Sequence, residues 1–95
     1  MRDYEVTYVI DPTLEEEQVT TLIERFSNLV TSNGGTVAGI DRWEKRKLAY
    51  EINGKREGIY VVMTFRASPE AKAELDRMLR IAEGAIRHLI VRPEE

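Results

Sequence analysis

Arg42, Lys45, Arg46 and Lys47 place four cations within six residues, and Lys55 and Arg56 follow shortly after. Lysine and arginine at that density suit charge-assisted contact with phosphate oxygens, which guanidinium makes bidentately and ammonium makes as a point charge. Residues 42–56 carry six bases against Glu44 and Glu51, a balance of +4. Residues 77–92 carry Arg77, Arg80, Arg87 and Arg92 against Glu83, a balance of +3. Residues 1–24 hold seven acids and one base, and the whole chain has a net charge of −3. Salt shortens the reach of a charge to about 8–10 Å, so local density decides whether phosphate is attracted. An acidic chain can therefore present a basic face.

Catalytic arrangements fail one by one, and no catalytic residue is assigned. A serine or threonine nucleophile needs an activating base, and the single histidine, His88, alternates with Ile86 and Ile90 in a strand pattern. Glu15, Glu16 and Glu17 suit the positive end of a helix rather than an acid pair. Gly34-Gly35 stands after a helical pattern and before a strand, the reverse of the order in phosphate-binding loops. The glycine-rich, arginine-ending loop of acylphosphatase-like enzymes is replaced by Asp11-Pro12-Thr13-Leu14. With no cysteine and one histidine, neither a thiolate site nor a histidine metal cluster can form, and no cofactor or metal is expected.

The elements that must position the cations follow from periodicity. Tyr4, Val6, Tyr8 and Ile10 alternate along residues 2–10 as a strand buried on one face. Thr13 stands three residues before Glu16, a capping-box spacing. Val19, Leu22, Ile23, Phe26, Leu29 and Val30 then give one helical stripe, closed at Asn33-Gly34-Gly35. Residues 36–52 favour strand, but Val37, Gly39 and Asp41 share one phase while Leu48, Tyr50 and Ile52 share the other. A bulge or bend between Gly39 and Lys47 reconciles them. Asn53-Gly54 signals a turn, which Lys55 to Gly58 extend into a longer loop before a strand over 59–67. Ser68-Pro69 opens a second helix with its stripe at Ala71, Leu75, Met78, Leu79 and Ala82. After Gly84, Ile86, His88 and Ile90 mark a last strand.

The order β-α-β-β-α-β predicts an α+β, ferredoxin-like split β-α-β sandwich: a four-stranded antiparallel sheet with two helices on one face. A chain of 95 residues with 42% apolar and 33% charged residues allows one domain, residues 1–95. The apolar run Leu89-Ile90-Val91 is far short of a membrane span, and strand residues follow Met1 directly. No membrane contact, no leader and a cytoplasmic location are expected.

If Val6, Val61, Phe65 and Ile90 face the helices, then Val9, Tyr60, Val62, Leu89 and Val91 face away and form an apolar patch that implies a protein partner. The third strand does not carry the aromatics of an RNA-recognition-motif octapeptide. Ile59, Val61 and Thr64 occupy those positions in Glu57 to Thr64, so base stacking on the sheet is not expected. The basic residues suit phosphates and shape instead.

Met1-Arg2-Asp3-Tyr4-Glu5, Asp11-Pro12, Gly34-Gly35-Thr36-Val37, Trp43 to Ile52, Gly58-Ile59-Tyr60, Leu75 to Leu79 and Ala85-Ile86-Arg87 form an ordered series. Across nearly the whole chain this series resembles the bacterial small-subunit ribosomal protein six family. Arg46-Lys47-Leu48-Ala49-Tyr50-Glu51-Ile52 is its most specific stretch, and Glu44 stands where the family usually has glycine.

The resemblance implies a structural, non-catalytic role in the small ribosomal subunit. The expected partners are small-subunit ribosomal RNA, in its central domain, and small-subunit ribosomal protein eighteen, with no small-molecule substrate. Arg42, Lys45, Arg46 and Lys47 are then expected near phosphates. Arg2, Arg87 and Arg92 are expected as a second cluster, because the first and last strands should be neighbours. Trp43, Tyr60, Val62, Leu89 and Val91 are assigned to the protein-partner surface, with Trp43 either contacting the partner or covering the bulge. A ferredoxin-like regulatory module that binds a protein or small ligand without RNA is the alternative.

Overall fold

Tyr4, Val6, Tyr8 and Ile10 do line one buried face of strand β1, Arg2–Ile10. This computed structural model describes the backbone of residues 1–52 and 55–93, and the side chains of residues 1–42 and 58–93. Helix α1 spans Glu16–Ser32, strand β2 Thr36–Ile52, strand β3 Lys55–Ala67, helix α2 Pro69–Ile81 and strand β4 Ala85–Val91. The strands form one antiparallel sheet in the order β2-β3-β1-β4, with the two helices packed on one face, as in a ferredoxin-like split β-α-β sandwich.

The helix starts have local causes. Ser68 caps α2, its hydroxyl oxygen accepting the Ala71 N–H at 3.1 Å, and Pro69 opens the first turn. For α1 the expected threonine cap is replaced. The Asp11 carboxylate accepts both the Thr13 N–H at 2.9 Å and the Thr13 hydroxyl at 2.7 Å, so a local turn consumes that side chain. Glu15 becomes the N-cap instead, and Gln18 Oε1 accepts its N–H at 3.0 Å. At the other end Gly34 takes φ +84°, the left-handed conformation that releases the chain into β2.

The core lies between the helices and the sheet. Val19, Leu22, Phe26 and Val30 of α1 and Ala71, Leu75 and Leu79 of α2 meet the even-numbered face of β1 and the odd-numbered face of β3. Tyr8 meets Phe26 edge-on at 5.1 Å, and Tyr4 stacks on Phe65 at 5.5 Å. Each buried valine, leucine, isoleucine, phenylalanine or methionine among them contributes about 1.5–3 kcal/mol by leaving water, and together they hold the sheet's geometry fixed.

Two expectations about the long hairpin change. Val37 opposes Phe65, but Gly39 opposes Thr64, so the ladder slips at Ala38 and Val37 does not share a face with Gly39 and Asp41. One extra residue reverses the phase of everything after it. The second slip, between Trp43 and Arg46, falls inside the span expected to bend. Residues 55–58 belong to β3 rather than to a loop, with Lys55 opposite Ile52 and Glu57 opposite Lys47. Asn53 and Gly54 lie outside the described residues.

Candidate nucleic-acid interface

The strand registers arrange the face away from the helices in rows. Gly39, Thr64, Glu5 and Val91 oppose one another across the four strands. The next row is Asp41, Val62, Thr7 and Leu89, and the third is Trp43, Tyr60, Val9 and Arg87. Neighbours within a row stand about 4.8 Å apart in the hydrogen-bonding direction. The sequence-expected outward residues Val9, Tyr60, Val62, Leu89 and Val91 all fall on this face, and Val6, Val61, Phe65 and Ile90 fall on the other. Leu89 is 65% and Val91 41% exposed, while Tyr60 and Val62 are half-buried.

Val9 is the exception, only 4% exposed on the open side. Its neighbour Gly58 explains part of this. A Cβ on Gly58 would meet Val9 Cγ1 at 2.5 Å, so the glycine leaves the space into which the valine leans.

The third row brings basic and apolar groups to one end of the sheet. Ile10 opposes Ile59 and Ala85, so the end of β1, the base of the β2–β3 hairpin and the start of β4 lie together. Arg87, opposite Val9, therefore belongs to the hairpin end. Arg2 opposes Ala67 at the far end, and Arg92 follows Val91, which opposes Glu5. Arg2 and Val9 stand seven residue steps apart along β1, roughly 23 Å of strand. The expected cluster of Arg2, Arg87 and Arg92 is thus split: Arg87 joins the hairpin end, and the other two share the opposite end.

Arg66, opposite Asp3 and Thr36, adds to the open face a cation that belongs to neither basic stretch of the sequence. Its phase with Tyr60 and Val62 is the signal that places it there. Arg77 and Arg80, counted with the basic stretch of residues 77–92, lie on α2 and pair with Glu74 and Asp76 of the same helix. The Arg77 guanidinium holds the Glu74 carboxyl below its ordinary pKa, and Glu74 in turn raises that of Arg77. These two arginines are neutralised locally on the helical layer.

Arg42 also departs from its expected setting. It opposes Val61, on the helix side of the sheet, and its Nη1 and Nη2 donate to Glu16 Oε2 and Oε1 at 2.8 Å each. The partner lies 26 residues away in sequence, beyond any local signal. The side chains of Trp43, Lys45, Arg46 and Lys47 lie outside the described residues; their backbone continues β2 along β3, with Trp43 opposite Tyr60 and Lys47 opposite Glu57.

Among the described residues, no group of three or more His, Cys, Asp or Glu side chains could hold a metal ion. No described helix is long and apolar enough to cross a membrane.

Comparison with known proteins joins this geometry to a family. Residues 3–92 match the family model for ribosomal protein S6. The chain is 53% identical over 95 residues to the small ribosomal subunit protein bS6 of Desulforamulus reducens, covering 100% of both chains. The crystal structure of 30S ribosomal protein S6 from Thermotoga maritima superimposes with a TM-score of 0.90 at 33% identity, covering 96% of this chain and 86% of that one. The C-terminal domain of the MgtC protein from Mycobacterium tuberculosis shares the fold alone, with a TM-score of 0.65 at 14% identity over 97% of this chain and 87% of that one. The full-length relatives are ribosomal proteins rather than enzymes, and the chain belongs to the ribosomal protein S6 family of small-subunit ribosomal proteins.

Proposed function

We propose that this small-subunit ribosomal protein binds small-subunit ribosomal RNA, in its central domain, together with ribosomal protein eighteen during assembly on the cytoplasmic ribosome. The observation that carries the reading is the row Trp43, Tyr60, Val9 and Arg87, which puts a sheet face with apolar members next to the base of a hairpin bearing Lys45, Arg46 and Lys47. Phosphates attract the basic hairpin and Arg87, while Tyr60, Val62, Leu89 and Val91 offer apolar surface to the protein partner, with Trp43 at the row's edge. Arg2 and Arg92, at the far end of the sheet, supply a separate phosphate contact. Asp3, Glu5 and Asp41 on the same face favour a partner that is itself basic.

Sedimentation of lysate on sucrose gradients at high and low magnesium tests the assignment. The protein is expected with the small subunit at both, including after the subunits separate. Migration only at the top of the gradient would leave a ferredoxin-like module that binds a protein or small ligand without RNA.

A further inference from the structure

We infer that Glu16 and Arg42 form a clamp that sets the direction of the basic hairpin, making Arg42 a positioning residue rather than a phosphate ligand. This inference rests on the RNA-binding reading above. Both guanidinium Nη atoms reach both Glu16 carboxylate oxygens at 2.8 Å, a fork-to-fork geometry that fixes orientation as well as distance and that lysine cannot reproduce. The Arg42 side chain is 21% exposed against 68% for Glu16, so the cation is the enclosed partner. Drawing it out to a phosphate would break two charge-assisted bonds and turn it away from the helix side of the sheet.

The clamp also sits where control of direction is needed. Arg42 opposes Val61 and Trp43 opposes Tyr60, but the next pair is Arg46 with Gly58, so β2 gains one residue on β3 immediately beyond the clamp. A bulge bends and twists the strand that carries it. Glu16 belongs to the first turn of α1, and Val19 and Leu22 anchor that turn in the core. The bidentate pair therefore ties the last residues before the bulge to the rigid body of the domain. Lys45, Arg46 and Lys47 follow within five residues of Arg42, on the strand that this tie holds.

The sign of one substitution separates the two roles. Glu16→Gln removes a negative charge, so electrostatics alone predicts tighter binding to a polyanion. The clamp predicts weaker binding. The experiment measures affinity of the full chain, with ribosomal protein eighteen, for a central-domain transcript of small-subunit ribosomal RNA at several potassium concentrations. Native protein, Glu16→Gln, Arg42→Gln and the double variant are compared, and circular dichroism checks that each is folded.

Each single variant is expected to bind about fivefold more weakly, and the double variant no worse than either, because both remove one shared interaction. The slope of log affinity against log salt should stay at the native value in Arg42→Gln. The exchanged pair, Glu16→Arg with Arg42→Glu, should recover most of the loss. Unchanged or tighter binding by Glu16→Gln, or a slope reduced by about one in Arg42→Gln, overturns the clamp and makes Arg42 a phosphate contact. If the native chain binds no RNA in the same assay, the RNA-binding reading itself fails and the inference falls with it.

Discussion

His88 Nε2 lies 2.8 Å from Asp76 Oδ1, and this bond joins the edge strand β4 to helix α2. The same carboxylate holds Arg80 one turn further along the helix. The imidazole bond first and the guanidinium second stabilise the ionised form, keeping the Asp76 pKa below its ordinary 3.8.

A carboxylate whose pKa is lowered by folding adds stability above its unfolded value, and that stability is lost as pH falls through the lower folded value. Asp76→Asn should therefore cost some stability near neutral pH, less than about 1 kcal/mol because the pair is partly exposed. The gap between native and variant should narrow as pH falls below the unfolded value and on through the lower folded value. Urea unfolding across that range measures it, and a gap that stays constant with pH would contradict the assignment.

The Tyr8 hydroxyl presents the opposite case. Its ring packs on Phe26, its oxygen is buried, and no described residue bonds to it. Burial pushes its pKa well above the ordinary value. Tyr8→Phe keeps the ring contact and removes a polar group without a partner, so stability should rise by about 1 kcal/mol. Thermal unfolding tests this, and a loss of similar size would mean that the hydroxyl is satisfied in solution.

Much of this frame was legible in the sequence because period-two alternation in residues 2–10 and 59–67 leaves no second way to bury Tyr8, Val61 and Met63 together. Ser68 was legible as a cap because Pro69 admits few other roles. Thr13 misled for a local reason: Asp11, two residues earlier, captures its N–H and hydroxyl first. The phase of Val37 misled because a bulge at Ala38 has no residue signature of its own, and only pairing with β3 reveals it. Among the site residues, the outward set on β3 and β4 follows from alternation alone. The separation of Arg87 from Arg2 and Arg92 does not, because it depends on how β4 registers against β1. The Glu16 partner of Arg42 depends likewise on packing between elements distant in sequence.

Leu89 tests the open face without touching the core. It is 65% exposed and flanked on β1 by Thr7. Leu89→Asp should change unfolding free energy by no more than about 0.5 kcal/mol, as for other surface substitutions. Its affinity for ribosomal protein eighteen should nevertheless fall by at least tenfold, or about 1.4 kcal/mol, if the patch is the partner surface. Calorimetric titration of the two proteins decides it, and native-like affinity in the variant would move the partner surface elsewhere.

The hairpin cations make a different kind of prediction, since phosphate binding reveals itself through salt. Replacing Lys45, Arg46 and Lys47 by Ala should weaken RNA binding and reduce the slope of log affinity against log salt by about two to three, close to one for each cation withdrawn from a phosphate. The fold should be retained, because the described core is built from β1, β3 and the two helices, which these substitutions leave unchanged. An unchanged slope would show that the hairpin does not reach phosphate.

The most direct measurement is binding of the native chain to a central-domain transcript of small-subunit ribosomal RNA, with and without ribosomal protein eighteen. The predicted result is a ternary complex whose RNA affinity depends on both proteins and weakens steeply with salt. An RNA complex of ribosomal protein eighteen that neither incorporates this chain nor changes affinity on its addition would contradict the account.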